Sequence, residues 1–377
     1  MSDIDLHKPL IGRQGSRLAL NTPVLVIDRD ALQRNIEAMA AFAREQGLML
    51  RPHAKTHKSA EIARLQIAAG AVGVCCAKLG EAEALAAKGV DSILITSPVV
   101  TPQAIERLIA LNGRIGDLRV VVDNPDNADA LAAAAKTAAR SLTVLIDIDP
   151  GIHRTGVATP EAAVSLAERI AAAPPLRYLG VQYYCGMQQH IVSFADRRAA
   201  IEDRTAYLKT VIAALEAAGH APKIVTGSGT GTHRIDAALG VFNELQTGSY
   251  VFMDKQYNDC DLDGQGGRFE TSLFVDAHVI SANSPSMATI DAGFKALSTD
   301  GGLPVVAAGA PANAMFVFMG DEHGGLIAPD HPFRIGDHVS LTVPHCDPTV
   351  NLYEAYHVVR DGTLIDIWPV DGRGRSR

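Results

Sequence analysis

A lysine flanked by two histidines is the first group in this sequence whose type and setting could support covalent chemistry. Lys55 lies between His53 and His57 in the segment RPHAKTHK, directly after an apolar run. A lysine that is desolvated or crowded by cations can lose its proton and attack a carbonyl carbon, which forms a Schiff base. Most lysines are solvated surface charges, so Lys55 becomes a candidate only if the fold places it beside a ligand site.

Two glycine-rich segments could hold the phosphate group of such a ligand. The segments GSGTGT at 227–232 and GSY at 248–250 contain Ser228, Gly229, Thr230, Gly248, Ser249 and Tyr250. Backbone N–H groups and hydroxyls of this kind bind phosphate, especially ahead of a helix. A single such segment is more often a flexible turn, whereas two at neighbouring strand ends favour a phosphate site. A lysine that faces a phosphate site predicts pyridoxal phosphate (PLP) as the cofactor.

The segment PHCDP offers a different chemistry. If this segment is an extended strand, His345 and Asp347 point to one face and Cys346 points to the other. An imidazole and a carboxylate form a two-ligand platform for a divalent metal ion. The alternative is a polar strand end before Pro348, which is the commoner explanation of an isolated H-x-D motif.

The elements that must position these residues follow from eight short apolar runs. They are 49–54, 72–76, 92–97, 118–122, 143–148, 178–184, 223–227 and 243–249. The runs are β-branched and mostly continuous, as parallel strands buried on both faces should be, and amphipathic helical patterns separate them. Eight alternations predict an α/β fold, a (β/α)8 TIM barrel, whereas an open doubly wound sheet usually needs five or six strands. Barrel active sites lie at the carboxyl ends of the strands, where Lys55 and the two glycine-rich segments stand.

The chain on either side of these runs predicts a second domain. Residues 258–267 are rich in Asp and Gly and predict a long loop. Strand-like runs follow at 272–280, 287–291, 338–343 and 353–359, and the Asp-Gly pair at 361–362 indicates a hairpin. We therefore expect a PLP-binding barrel over 30–257 and an all-β domain over 268–377. An apolar run within 22–29 has no place in the barrel and is expected to complete the β-domain, with Asp30 capping the helix that follows.

Composition excludes several classes of function. The chain has 377 residues, and its 34 Lys and Arg against 42 Asp and Glu give a formal net charge of −8. No dense basic run suggests a nucleic-acid partner, no apolar run could span a bilayer, and the first 20 residues do not form a signal peptide. Five irregularly spaced cysteines predict no disulfide framework, so we expect a cytoplasmic protein.

Several of these strings occur together in one known family. The order TPVLVID, RPHAKTHKS, GSGTGT, GSYVFMD and PHCDPTVNLY resembles the alanine-racemase-like (fold-type III) PLP enzymes, in the branch of D-threonine aldolases and D-serine dehydratases. The resemblance covers nearly the whole chain. It implies that Lys55 carries PLP covalently, that Arg154 lies near the ring hydroxyl, that Tyr184 lies at the ring and that the two glycine-rich segments hold the phosphate.

The resemblance also implies a metal, a partner and a reaction. His345 and Asp347 would bind a divalent ion, and the carboxylate favours Mn²⁺ or Mg²⁺ over the zinc of dehydratases, which pair the histidine with a cysteine. Family members are usually homodimers. The implied reaction is retro-aldol cleavage of a small D-β-hydroxy-α-amino acid to glycine and an aldehyde, with His57 or His190 as a base.

Two other functions remain open from the sequence alone. A dehydratase with the same residues would convert D-serine or 3-hydroxyaspartate into an oxo acid and ammonia, with Lys55 as the base that takes the Cα proton. A PLP-binding homeostasis protein would share the barrel and its lysine, but such proteins lack both the β-domain and the PHCDP segment.

Overall fold

The computed structural model describes residues 3–267, 269–311 and 313–377. Its helices are α1 Asp3–His7, α2 Arg29–Glu45, α3 Ala60–Ala68, α4 Leu79–Ala86, α5 Pro102–Asn112, α6 Pro125–Thr137, α7 Pro160–Ala171, α8 Phe194–Ala217, α9 His233–Leu239, α10 Lys255–Asn258 and α11 Cys346–Val350. Its strands are β1 Val24–Asp28, β2 Met49–Leu50, β3 Val74–Cys76, β4 Ser92–Ile95, β5 Asp117–Val122, β6 Leu142–Ile148, β7 Leu176–Tyr183, β8 Ile224–Gly227, β9 Glu244–Leu245, β10 Leu273–Ser284, β11 Met287–Ile290, β12 Val305–Ala308, β13 Met315–Phe318, β14 Gly324–Ile327, β15 His338–Thr342, β16 Ala355–Arg360 and β17 Thr363–Pro369.

Strands β2 to β9 form a parallel sheet that closes into the predicted barrel. The strand order is β2-β9-β8-β7-β6-β5-β4-β3, and every neighbouring pair is parallel. A parallel bridge between His53 and Cys75 joins the segment after β2 to β3. The barrel is confirmed, and each of the eight apolar runs contains or overlaps one of its strands.

The barrel interior combines a small apolar layer with a buried ion pair. Cys75, Leu94, Val121 and Leu145 pack together inside the barrel, so Cys75 is a packing residue. Towards the amino ends of the strands, Arg51 Nε donates a hydrogen bond to Glu244 Oε2 at 3.0 Å, and both side chains are fully buried. Removing either partner of such a pair would strongly destabilise the protein, because it would leave an unpaired buried charge.

Local capping residues determine where several helices begin. The helices α5, α6 and α7 each start at a proline that follows Thr101, Asn124 or Thr159, and each of these side chains accepts a hydrogen bond from a backbone N–H in the first turn. The prediction that Asp30 caps α2 is wrong. Asp28 is the cap, accepting from the N–H groups of Asp30 and Ala31 at 3.0 and 2.9 Å.

The C-terminal region forms a mostly β unit around a nine-stranded sheet. The order β13-β14-β11-β10-β1-β16-β17 places the N-terminal strand β1 between β10, which is antiparallel to it, and β16, which is parallel to it. Strand β15 pairs with β10 and β12. Asp361 and Gly362 both have positive φ values, of 48° and 70°, and form the predicted hairpin turn between β16 and β17. Arg268, the expected first residue of the β-domain, lies outside the described residues.

One prediction about local structure fails at a functional position. His345 and Asp347 do not share a strand face, because β15 ends at Thr342 and His345 is the N-cap of the short helix α11. Pro344 has no backbone N–H to continue the ladder, which explains the early end of the strand. Asp347 therefore lies in the first turn of α11, one residue after Cys346.

Two further expectations from composition can be compared with the structure. All five cysteines are free thiols and buried, which confirms that they do not form a disulfide framework. Among the residues that the structure describes, no helix is both long and apolar enough to cross a membrane.

Candidate active site

A cavity of about 560 Å³ opens at the carboxyl ends of the barrel strands. This is the face on which barrels of this type carry their active sites. Three predicted residues, Lys55, Arg154 and Tyr184, are part of its wall. The other wall residues are His53, Ala77, Lys78, Thr96, Ser97, Ile152, Gln182, Gly186, Met187 and Gln246.

Backbone hydrogen bonds to the chain after β9 and to β3 fix the segment that carries Lys55 beside this cavity. His53 N donates to Thr247 O at 3.0 Å, and Ala54 N donates to Cys75 O at 2.7 Å. The Lys55 side chain is 38% exposed, and its Nζ forms an ion pair with the carboxylate of Asp347, which is 14% exposed. The structure therefore brings together the predicted Schiff-base lysine and one predicted metal ligand, which lie 292 positions apart in the sequence.

This ion pair governs the charge of both groups. Burial lowers the pKa of Lys55, but the Asp347 carboxylate outweighs this effect and leaves the pKa above its ordinary value. Burial raises the pKa of Asp347, but Lys55 and His345 hold it well below its usual range. Both groups are consequently charged at neutral pH in the cofactor-free protein.

The predicted phosphate segments converge beside Lys55. A small second cavity is lined by Gly229, Thr230, Gly248 and Ser249 together with Lys55. Tyr250 N donates to Thr230 Oγ1 at 3.0 Å, which ties the two segments together. Among the described residues, no hydrogen bond involves the backbone N–H groups of Thr230, Gly248 or Ser249. Three free N–H groups next to a candidate Schiff-base lysine fit a phosphate-bearing aldehyde such as PLP.

Tyr250 and Ser228, which are also predicted to bind the cofactor, are not part of the lining of this cavity. The Tyr250 side chain is fully buried, and its hydroxyl accepts a hydrogen bond from Gln66 Nε2 at 3.0 Å, so its ring does not face the cavity. Ser228 is buried with a positive φ of 72° and turns the chain at the start of its segment. Neither residue lines the cavity that Gly229 and Gly248 share.

Arg154 and Tyr184 lie next to each other in the wall of the large cavity, and Tyr184 also lines the small one. The Arg154 guanidinium carbon lies 5.8 Å from the centre of the Tyr184 ring, within cation–π range. Arg154 is exposed, and it forms no ion pair within the described part of the chain. Burial raises the pKa of Tyr184, so its phenol is neutral at physiological pH.

The two histidines proposed as bases occupy different environments. His57 is fully buried, and its Nδ1 accepts a hydrogen bond from Ser59 N at 3.1 Å. Neither His57 nor His190 is part of the lining of the two cavities described above. His190 is half-buried and packs on Tyr257 with ring centres 4.4 Å apart. Burial lowers the pKa of His190 to about 4, and His345 and Lys55 contribute to that decrease. His190 is therefore a neutral imidazole near the Lys55–Asp347 pair.

The predicted metal residues lie close to the cavity but do not form a complete cage. His345 Nδ1 lies 2.7 Å from Asp300 Oδ2, an orientation that leaves Nε2 available as a ligand. In the described ranges, no cluster of three or more His, Cys, Asp or Glu side chains could hold an ion. Cys346 is fully buried, and burial raises the pKa of its thiol, so it does not supply a thiolate. Two protein ligands fit an ion that keeps open positions for water or substrate.

Sequence reasoning missed a row of polar side chains on the cavity floor. Gln182 Nε2 donates to Asp147 Oδ1 at 2.9 Å, and Gln246 Nε2 donates to Gln182 Oε1 at 3.2 Å. Burial raises the pKa of Asp147 to about 6. The available signal was a glutamine inside each of two predicted strands, in the strings VQYY and LQTG.

Comparisons with known proteins agree with this geometry. Residues 27–256 match the family "Alanine racemase, N-terminal domain", and residues 272–359 match the family "Putative serine dehydratase domain". A 3-hydroxy-D-aspartate aldolase from Paracoccus denitrificans (strain Pd 1222) is 41% identical over 95% of this chain and 93% of the relative.

Two solved structures resemble the whole chain. D-threonine aldolase from Filomicrobium marinum has a TM-score of 0.91 at 37% identity and covers 96% of this chain and 97% of that one. D-threo-3-hydroxyaspartate dehydratase from Delftia sp. HT23 has a TM-score of 0.82 at 29% identity and covers 94% of this chain and 98% of that one. The chain therefore belongs to the alanine-racemase-like, fold-type III family of PLP enzymes.

Proposed function

We propose that this enzyme is a lyase that cleaves D-β-hydroxy-α-amino acids between Cα and Cβ, giving glycine and an aldehyde. The observation that carries the proposal is the meeting of Lys55, the glycine-rich segments and Asp347 at one cavity. Similarity to aldolases at 37–41% identity over nearly the whole chain supports the same reaction class.

The residues of the site suit a PLP-dependent cleavage. Lys55 would hold the cofactor covalently, and Thr230, Gly248 and Ser249 would bind its phosphate through backbone N–H groups. When bound, PLP supplies an electron sink for the pair that cleavage leaves on Cα. Arg154, which forms no ion pair within the described residues, can bind an anionic group beside Tyr184.

Retro-aldol cleavage requires that the β-hydroxyl lose its proton. We assign this proton to His190, because its pKa of about 4 leaves the ring neutral and its Nε2 has no hydrogen-bond partner in the described part of the chain. His57 is less suited to the task because its ring is fully buried and its Nδ1 already accepts the Ser59 N–H, whereas the ring of His190 is half-buried. The product then needs a proton at Cα, and Lys55 would supply it from its Nζ.

A divalent ion at His345 and Asp347 is part of the proposal. The lowered pKa of Asp347 keeps its carboxylate ionised, and in the holoenzyme this carboxylate would be a ligand of the ion. The ion would lower the pKa of the substrate hydroxyl that it binds. A carboxylate and an imidazole suit hard ions such as Mn²⁺ or Mg²⁺, and the buried Cys346 offers no thiolate for zinc.

Dehydration is the second candidate function. The match of residues 272–359 to a serine dehydratase domain and the similarity to a hydroxyaspartate dehydratase favour it. In that reaction Lys55 would remove the Cα proton and the β-hydroxyl would leave, so D-serine or 3-hydroxyaspartate would yield an oxo acid and ammonia.

Product analysis distinguishes the two reactions. Purified holoenzyme with Mn²⁺ is incubated with D-threonine, D-phenylserine and D-serine, and the products are separated. We expect glycine and an aldehyde from the first two substrates. Oxo acid and ammonia as the main products would establish the dehydratase, and no product from any β-hydroxy amino acid would refute both.

We also propose that the enzyme is a cytoplasmic homodimer. Support for the dimer comes from exposed apolar side chains on the C-terminal unit, Phe294, Leu303, Met315 and Met319, which are 45–61% exposed. Support for the compartment comes from the five unpaired cysteines. Light scattering should give twice the monomer mass of 39.9 kDa. An active species of monomer mass would refute the dimer.

A further inference from the structure

We propose that the preferred substrate carries a second carboxylate on Cβ and that Lys78 binds this group. The inference rests on the proposed function and narrows its substrate class to dicarboxylic β-hydroxy-α-amino acids. It makes Lys78 a specificity residue for the side chain of the substrate, separate from the residues that hold the cofactor.

The first observation is the charge of the cavity wall. Three of its residues are cations, Lys55, Lys78 and Arg154, and none of its residues is an Asp or a Glu. The protein as a whole has the opposite balance, with a net charge of −8. Within the described residues, one of these three cations forms an ion pair, the pair between Lys55 and the carboxylate of Asp347. Positive charge is thus concentrated at the place where a substrate enters.

The second observation is that Lys78 has no ion-pair partner of its own in the described ranges. It follows β3 and is the N-cap of α4, whose amino end adds partial positive charge at the same point. The acid in the first turn of α4, Glu81, does not neutralise Lys78. Its carboxylate forms a buried ion pair with Lys58 and accepts the backbone N–H groups of Ala77 and Lys78.

The anionic groups of the cofactor and of the amino-acid part of a substrate have candidate partners other than Lys78. The phosphate belongs to the cavity of free N–H groups, where no arginine is present. Arg154, which lies over Tyr184, is available for the ring oxygen or the α-carboxylate. Lys78 then remains as a cation that the cofactor and the amino-acid part of a substrate do not require. A methyl or phenyl substituent on Cβ would leave it unused, whereas a carboxylate would pair with it.

The reaction balances for such a substrate. The Cα–Cβ bond breaks, and the β-hydroxyl gives up its proton. The oxygen of that hydroxyl becomes the aldehyde oxygen of a two-carbon oxo acid. Cα gains a proton, so the other product is glycine. No oxidant or further reactant is needed.

The test compares two substrates in three variants of the holoenzyme. Lys78→Met removes the charge and keeps the length of the side chain, Lys78→Arg keeps the charge, and Lys88→Met alters an exposed lysine just beyond the other end of α4. For 3-hydroxy-D-aspartate, we expect Lys78→Met to lower kcat/KM at least about tenfold, mainly through KM. For D-threonine, kcat/KM should stay within about twofold. Lys78→Arg and Lys88→Met should resemble the wild type with both substrates.

A binding measurement separates this inference from the proposed reaction. D-aspartate and D-alanine lack the β-hydroxyl and cannot be cleaved, so their binding is followed through the visible absorbance of the holoenzyme. Lys78→Met should weaken D-aspartate binding at least about tenfold and leave D-alanine unchanged. Equal effects on the two ligands, or none, would overturn the role of Lys78 whatever reaction the enzyme catalyses. If the wild-type enzyme cleaves no β-hydroxy amino acid but Lys78→Met still shows this binding pattern, the aldolase reaction is refuted and the role of Lys78 stands.

Discussion

Replacing Gly248 by alanine tests the placement of the phosphate site. An added Cβ would lie 2.8 Å from Thr56 Oγ1 and 3.2 Å from His53 O, although the backbone φ of −120° is open to any residue. The hydroxyl can rotate, but the His53 carbonyl belongs to backbone that is bound to Thr247 through a 3.0 Å hydrogen bond. The segment that carries Lys55 must therefore move away from the glycine-rich segment by a few tenths of an ångström.

The size of the effect follows from the cost of overpacking. Inserting a methyl group into a tight contact costs about 1–3 kcal/mol, which corresponds to an approximately 5- to 150-fold loss of affinity if the strain is borne by the bound state. We expect Gly248→Ala to weaken PLP binding within this range. The assay is titration of the cofactor-free protein with PLP, followed by visible absorbance, with thermal unfolding of the cofactor-free protein recorded in parallel.

Two further variants make the result specific. Gly240, at the end of α9, has a φ of +66° and no atom within 4 Å of an added Cβ, so Gly240→Ala should lower stability and leave PLP affinity unchanged. Adding Thr56→Ala to Gly248→Ala removes the closest contact and should restore part of the affinity. Wild-type PLP affinity in Gly248→Ala would show that the phosphate binds elsewhere.

Four other outcomes are expected. Lys55→Ala should abolish both turnover and the visible cofactor band, whereas Lys88→Ala should keep both; a band that is lost in Lys88→Ala and kept in Lys55→Ala would reassign the lysine. Chelation should remove aldolase activity and leave the cofactor band, and Mn²⁺ or Mg²⁺ should restore activity better than Zn²⁺. Asp347→Ala should lower kcat more than tenfold, and tenfold is equivalent to ~1.4 kcal/mol. Asp300→Ala should weaken Mn²⁺ binding about 10- to 100-fold in direct titration, because His345 loses its orienting carboxylate; unchanged binding would make that contact irrelevant. The acid limb of kcat/KM should fall near the pKa of about 4 of His190, below which the ring is protonated and cannot accept a proton; an acid limb near 6.5 that His190→Asn leaves in place would point to another base.

The barrel could be predicted because its strands have a strong and simple signal. Runs such as 118–122 and 143–148 are β-branched and buried on both faces, and they recur between amphipathic helices. Strands β12 and β13 were missed because each is only four residues long and has no regular alternation of apolar and polar residues. The rule that barrel sites lie at strand ends then brought Lys55, Gly229 and Gly248 together without knowledge of any contact.

The rest of the site depends on three-dimensional detail that residue types do not encode. His57 and His190 are equivalent as sequence candidates, yet the ring of His57 is fully buried beside Ser59, whereas the half-buried ring of His190 lies near enough to Lys55 and Asp347 for their charges to affect its pKa. The segment with His345 has strand-like neighbours, but Pro344 ends the ladder, so Asp347 approaches Lys55 from a helix. Gln182 and Gln246 escaped notice because a glutamine within an apolar run predicts no particular chemistry.

The central position of β1 makes the C-terminal unit discontinuous in the chain. Val26 pairs with both Phe274 and His357, so a strand made at the beginning of synthesis waits for its second partner until about 330 residues later. At roughly 5–20 residues per second, this delay is on the order of 15–65 s. During that time at least one edge of β1 has no sheet partner. A fragment that starts after the loop at 258–267 would lack its middle strand, so the two units cannot be produced as independent folding bodies by cutting the chain once.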